Sequence, residues 1–217
     1  MMQHVTDTDD KTLGDPTLVY CDLETSDLSA NILLQIACNS KGRNFNIYCS
    51  PTGDLPHFCT QLTGLYCVNN KLYKNGRQLP TYPVEAALSK FSEFIESFKS
   101  PVTLVCFNNF GFDAKVLVKH FLKTNSILPK NLTHFADPLP AFKKLLKTEK
   151  VENFKLGTLC KHFEVSLIEA HDARYDSLSL QTLCEKVTNQ RNLSMITFLD
   201  KYIKPLDHFL QQTRNRK

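Results

Sequence analysis

The sequence contains no tryptophan, and only 7 glycines and 10 prolines among its 217 residues. So little glycine and proline excludes a collagen-like or low-complexity chain. No Cys-x-x-Cys pair occurs, and the eight cysteines (Cys21, Cys38, Cys49, Cys59, Cys67, Cys106, Cys160 and Cys184) are scattered. A structural zinc site, which needs closely spaced ligand pairs, is therefore not expected. No apolar run approaches the length of a membrane span, so no membrane partner is expected. The opening MMQHVTDTDDKT carries three aspartates and reads as neither a signal peptide nor a basic transit peptide. These absences together predict a reducing compartment, nucleus or cytosol, with most thiols free.

What is present has the balance of a globular protein, because 42% hydrophobic and 22% charged residues argue against disorder over most of the length. The length fits one domain, since cores of roughly 100–200 residues are the usual unit. A net charge of +4 tolerates a polyanionic partner without requiring one. Residues 1–15 read as a flexible N-terminal segment, 16–210 as a single domain and 211–217 as a basic tail.

Thr17 to Glu24 reads as a strand with acids at its far end, followed by strands over Ile32–Cys38 and Asn44–Cys49. Short breaks between them predict an antiparallel meander, because parallel pairs need a long crossover. Helical spacing then appears over Val84–Phe98, and a buried strand over Val102–Phe107. Further helices are expected over Phe112–Leu122, Ala141–Leu146, Leu156–Phe163, Tyr175–Val187 and Leu193–Leu210, the last interrupted near Pro205. His134–Asp137 is a last short strand. Hairpins first and alternating helix and strand afterwards give a mixed α/β sheet flanked by helices.

Three acidic clusters stand out. Asp22 and Glu24, two apart on a strand, share one face; alone, the pair reads as a polar strand end entering a turn. Asp113 follows the buried run at or just inside a helix start, where an acid commonly serves as a cap. His171 lies just before a helix and Asp172 complements its dipole. Asp176 sits about a turn and a half inside that helix, among the core-facing Ala173, Leu180 and Leu183. A carboxylate buried there without a partner would cost several kcal/mol or be forced to protonate, and a bound cation resolves that. If Asp22, Glu24, Asp113 and Asp176 converge at one sheet edge, hard oxygen ligands suit magnesium or manganese. Two such ions about 4 Å apart promote phosphodiester hydrolysis, and His171 could deprotonate the attacking water.

These residues, in this order, resemble the DEDDh branch of the DnaQ-like 3′→5′ exonucleases. The resemblance rests on Asp22-Leu-Glu24-Thr-Ser, on Phe107-Asn108-Asn109-Phe-Gly-Phe-Asp113 and on His171-Asp-Ala-Arg-Tyr-Asp176. Leu62-Thr-Gly-Leu, Ala136-Asp-Pro-Leu and Phe154-Lys-Leu-Gly-Thr-Leu-Cys fall in family order too. Within the branch the chain looks most like the TREX-type group, in particular the exonuclease-like region of the promyelocytic leukaemia protein and its stand-alone relatives. The resemblance implies a ribonuclease H-like fold with three antiparallel strands followed by parallel ones. It implies two divalent ions, Mg2+ or Mn2+, with Asp22 bridging both, Glu24 and Asp176 completing the first, Asp113 holding the second and His171 as general base. Thr25 and Leu28 match positions that contact and wedge the terminal nucleotide, and Asn108 falls in the turn facing it. The chain departs from the family at Asp27, where the family has glycine, and at Phe107-Asn108-Asn109, where it has His-Asn-Gly.

The implied activity is 3′→5′ hydrolysis of single-stranded or frayed DNA to nucleoside 5′-monophosphates. Two other readings are a non-catalytic module that binds nucleic acid or protein, and an RNA-trimming exoribonuclease. Some TREX-type relatives dimerise, yet no segment here marks a self-complementary edge for a homodimer. Lys143, Lys144, Lys147, Lys150, Lys155 and Lys161 form either a backbone track or a solvated face. Arg174 reads as a surface residue, with a phosphate contact as its other reading. His57, His120, His134, His162 and His208 read as surface or core fillers.

Overall fold

The computed structural model describes residues 16–29, 31–167 and 170–215. The expectations for 1–15 and for Arg216 and Lys217 fall outside the described residues. Strands β1 (Thr17–Thr25), β2 (Leu33–Ser40) and β3 (Arg43–Cys49) form the expected antiparallel meander, with Cys21 opposite Cys38 and Ile36 opposite Ile47. Lys41 and Gly42 both have positive φ in the two-residue β2–β3 turn, the geometry that suits the strand twist. Strands β8 (Val102–Val105) and β9 (Leu132–Ala136) then join β1 in parallel register. With β7 (Thr81–Tyr82) and β10 (Ile203–Pro205) at its edges, the seven-stranded sheet has the order β10-β9-β8-β1-β2-β3-β7, which makes β1 its centre. This is the mixed sheet the hairpin-then-alternation pattern predicts.

Helices cover both faces, and the two-residue period of β1 decides which side chains meet which layer. Val19, Cys21 and Leu23 face a core built with α2 (Val84–Glu96), α3 (Asp113–Lys123) and Phe209 of α8 (Leu206–Arg214). Tyr20 faces the opposite core, formed with α4 (Pro138–Leu145), α5 (Leu156–His162), α6 (Ala173–Gln190) and α7 (Met195–Leu199). By the same alternation Asp22 and Glu24 point toward the α6 layer.

Three features depart from the sequence expectations. The long helix expected over Leu193–Leu210 is α7, a short 3-10 turn over Asp200–Tyr202, strand β10 (Ile203–Pro205) and α8. Proline lacks the amide hydrogen a helix interior needs, and the segment pairs antiparallel with β9 instead. Helix α8 continues to Arg214, so residues 211–214 are helical. Between β3 and α2 lie elements not anticipated: α1 (His57–Thr63), a separate sheet of β4 (Leu65–Val68), β5 (Lys71–Lys74) and β6 (Arg77–Gln78), and strand β7 (Thr81–Tyr82), which joins the main sheet. Asn69, Asn70, Asn75 and Gly76 adopt positive φ in the two tight turns of the small sheet. Its core is a third cluster of Leu34, Cys59, Leu65 and Leu72. Among the described residues no helix is long and apolar enough to cross a membrane. All eight cysteines are free and all but Cys67 are buried.

Candidate active site

At the C-terminal end of β1 one carboxylate oxygen from each of Asp22, Glu24 and Asp176 lies within 4.8 Å of the other two. The two strand acids share a face and α6 crosses that face, so the helix brings Asp176 to them. Asp176 is in the first turn of α6 and not a turn and a half inside it, because the helix begins at Ala173. Its neighbours Ala173, Leu180 and Leu183 are buried, as their spacing predicts.

Asp113 arrives from the other layer. It is the first residue of α3, is buried, and stands outside the tight three-carboxylate group. It still bears on Asp22 more strongly than any other charge does. The turn before it is built from asparagines. Asn108 has φ of 58°, and its side chain lies where a Cβ on residue 111 would fall, which is why Gly111 occupies that position. Buried Asn109 donates from Nδ2 to Leu104 O (3.1 Å) and Ala136 O (2.9 Å), tying the ends of β8 and β9 to the turn. Asp137 accepts from Phe110 N at 3.2 Å and caps α4 through Leu139 N at 3.0 Å.

Burial pushes the Asp22 carboxyl well above its ordinary range, and the charges of Asp113, Glu24 and Asp176 push it further. Burial, then Asp176 and Asp172, push Glu24 up to about 8, with Lys74 opposing. Asp113 is raised well by burial, and Asp176 is raised by burial against the His171 amide that bonds it. Acids at such distances cannot all ionise without a cation, and all the donors are carboxylate oxygens. The residues present therefore fit hard divalent ions.

His171 stands at the rim with its side chain exposed and φ of 65°. Its backbone amide donates to Asp176 Oδ2 at 2.9 Å, which fixes the residue relative to the cluster. The end of β1 and the loop after it hold the other expected contacts: Thr25 Oγ1 donates to Asp27 O at 2.8 Å, and Leu28 is 89% exposed. Asp27 accepts from the Ser26 hydroxyl at 3.0 Å. Asn108 is exposed. The six lysines from Lys143 to Lys161 are all exposed, whereas His120 is buried in α3.

Sequence reasoning missed how much meets at Asp172. Beyond capping α6 through Arg174 N (3.1 Å), it accepts from Gln35 Nε2 at 3.0 Å and from Lys74 Nζ at 2.5 Å. Tyr48 Oη lies 3.4 Å away, and Gln35 Oε1 accepts from Ala173 N at 3.3 Å. Burial pushes the Asp172 carboxyl up, but the bonds from Lys74 and Gln35 outweigh it and hold the group below its ordinary value. The one available signal was Asn75-Gly76, a hairpin turn that places Lys74 at a strand end.

The chain is similar to known proteins over most of its length. The chain is 29% identical over 202 residues to the PolC-type DNA polymerase III of Streptococcus sanguinis, covering 85% of this chain and 13% of that protein. It is 31% identical over 172 residues to the Streptococcus pneumoniae PolC-type DNA polymerase III, covering 76% and 11%. It thus spans about an eighth or less of the length of these relatives. Among solved structures, E. coli exonuclease I bound to single-stranded DNA superposes with a TM-score of 0.65 at 18% identity, covering 82% of this chain and 42% of that one. The exonuclease I complex with a dT13 oligonucleotide gives 0.63 over the same shares. These likenesses show the ribonuclease H-like fold. The family profile of RNase_T, described as Exonuclease, matches residues 21–183. With that stretch spanning Asp22, Glu24, Asp113, His171 and Asp176, the chain belongs to the RNase_T exonuclease family.

Proposed function

We propose that the protein is a metal-dependent 3′→5′ exonuclease of the DEDDh type. It removes nucleoside 5′-monophosphates from single-stranded or frayed DNA ends. The observation that carries this reading is the meeting of Asp22, Glu24 and Asp176 oxygens within 4.8 Å, with Asp113 bearing on them from the opposite layer. The binding of DNA oligonucleotides by E. coli exonuclease I, which shares the fold, supports a nucleic-acid substrate. The TREX-type placement within the family rests on the Phe107-Asn108 turn and on the phenylalanine- and cysteine-rich sequence, and nucleus or cytosol is the compartment that follows.

Asp22, Glu24, Asp113 and Asp176 would hold the divalent ions, Mg2+ or Mn2+. Such ions, when bound, supply positive charge to the attacking and leaving oxygens of the phosphodiester. The chain's own residues do the rest. His171, exposed at the rim and anchored to Asp176 through its amide, accepts the proton of the attacking water. Leu28 wedges against the terminal base, and Thr25 and Asn108 contact the terminal nucleotide.

The test is incubation of end-labelled single-stranded DNA and RNA with magnesium, manganese or EDTA. Stepwise shortening of DNA from its 3′ end that EDTA abolishes is the expected result. No shortening with either metal would leave a binding module in its place, and faster shortening of RNA would make the protein a ribonuclease.

A further inference from the structure

A cleft of about 620 Å³ opens beside the carboxylates, on the far side of Asp172. One wall is the β5–β6 hairpin with Lys74, Asn75 and Arg77, and the other is the start of α6 with Arg174, while Tyr48 lies on its floor. Among the described residues Asp172 is the one acid lining it, and that charge is already matched by Lys74 at 2.5 Å. Arg77 and Arg174 are both exposed, and among the described residues neither guanidinium is paired with a carboxylate. The cleft therefore presents two uncompensated guanidinium groups, one on each wall, next to a site holding several carboxylates.

We infer that this cleft is a phosphate subsite for the nucleic-acid backbone, engaged outside the reaction centre by Arg77 and Arg174. The inference deepens the exonuclease reading and rests on it. A polyanion approaching the carboxylate cluster is repelled, and cations within a Debye length of that cluster offset the repulsion. Guanidinium groups offer planar forks that match phosphate oxygens, unlike the point charge of an ammonium. Arg174 also lies over the Tyr175 ring at 5.7 Å, which limits the orientations of its stem. Lys74 is occupied by Asp172, so it sets the shape of the wall while the arginines carry the binding. Contacts of this kind read charge and not sequence.

Two measurements separate the subsite from the chemistry. Fluorescence anisotropy with a 5′-fluorescein oligothymidylate in calcium reports backbone binding. Hydrolysis of the p-nitrophenyl ester of thymidine 5′-monophosphate in manganese reports the reaction centre alone, since its single phosphate cannot span both places. The Arg77→Glu/Arg174→Glu double variant should weaken oligonucleotide binding by about tenfold or more. It should also lower the salt slope by roughly 1.4, since each phosphate that a single strand no longer has neutralised accounts for about 0.7. Ester hydrolysis and melting temperature should match wild type. The single variant Arg77→Gln, on an exposed hairpin, should show about half the change in slope and guards against misfolding of the double. Unchanged affinity and slope would overturn the subsite. Ester hydrolysis falling in parallel with binding would also overturn it, by placing the arginines in the reaction centre. If wild type cleaves neither substrate yet binding still depends on the arginines, the exonuclease reading fails and the subsite stands.

Discussion

Lys74 Nζ lies 2.5 Å from Asp172 Oδ2, so a cation from the small sheet neutralises the acid that caps the helix carrying Asp176. The two residues are 98 positions apart and their side chains are only 14% and 7% exposed. Removing one partner of a nearly buried pair leaves the other charged and unmatched. Lys74→Met should therefore cost about 2 kcal/mol, less than for a fully buried pair because the lysine keeps some exposure to water. Urea denaturation of Lys74→Met, Asp172→Asn and the double variant checks this. Asparagine retains the cap, so the double should lose clearly less than the sum of the singles.

Asp22→Asn should abolish nuclease activity while leaving the fold intact. It also neutralises one member of a group of mutually repelling acids, so the metal-free variant should melt several degrees above metal-free wild type. Manganese should stabilise wild type by mass action and the variant much less. Thermal scans with and without manganese test both halves, and a variant that cleaves like wild type would remove Asp22 from the site.

The raised acids also fix a pH dependence. Glu24 holds its proton up to about pH 8 in the folded chain, against an ordinary value of 4.5. Between those two values the folded state binds more protons than the unfolded one, so stability falls as pH rises and levels off above about 8. Asp22 and Asp113, raised by the same burial, add to that trend. Metal-free protein should thus be more stable to urea at pH 5 than at pH 8. Manganese should recover most of the difference at pH 8, because it replaces the protons. A flat metal-free profile would mean that the carboxylates do not crowd one another.

His171→Asn should lower the turnover rate by about 100-fold or more, the usual contribution of a positioned general base. Its melting temperature should stay near that of wild type, since the imidazole is exposed and asparagine tolerates the left-handed φ of 65°. The amide bond to Asp176 belongs to the backbone and survives the change. Manganese-induced stabilisation should also persist, which would assign the loss to proton transfer.

Asn109→Ala removes two buried hydrogen bonds, to Leu104 O and Ala136 O, and should cost about 2–3 kcal/mol. The same change loosens the turn that leads into Asp113, so the manganese requirement should shift to higher concentration. Calorimetry and a metal titration of activity measure the two effects.

Much of this could be read from the residues alone. The acids of β1 and α6 are legible because strand and helix periods assign faces, and His171, Asp176 and Asp113 keep family order. The β1–β3 meander, α2, β8, α3 and β9 follow from apolar period and length. The small sheet was not legible, since its strands are two to four residues long and too short to show a period. Strand β10 was hidden because its three residues become a strand only by pairing with β9. Lys74 was invisible as a partner of Asp172, because nothing local connects positions so far apart.

The β4–β6 sheet rests on a core of four fully buried side chains, far smaller than either layer of the main sheet. Regions with little apolar burial open at low free-energy cost while the rest of a protein stays closed. When this clasp lifts, the scaffold of β1 and α6 persists, but Asp172 loses its ammonium partner and its charge stands unmatched beside Glu24. Amide exchange at Leu72 and Lys74 should consequently run ahead of exchange at Cys21, and each opening exposes the reaction centre to one more unmatched negative charge.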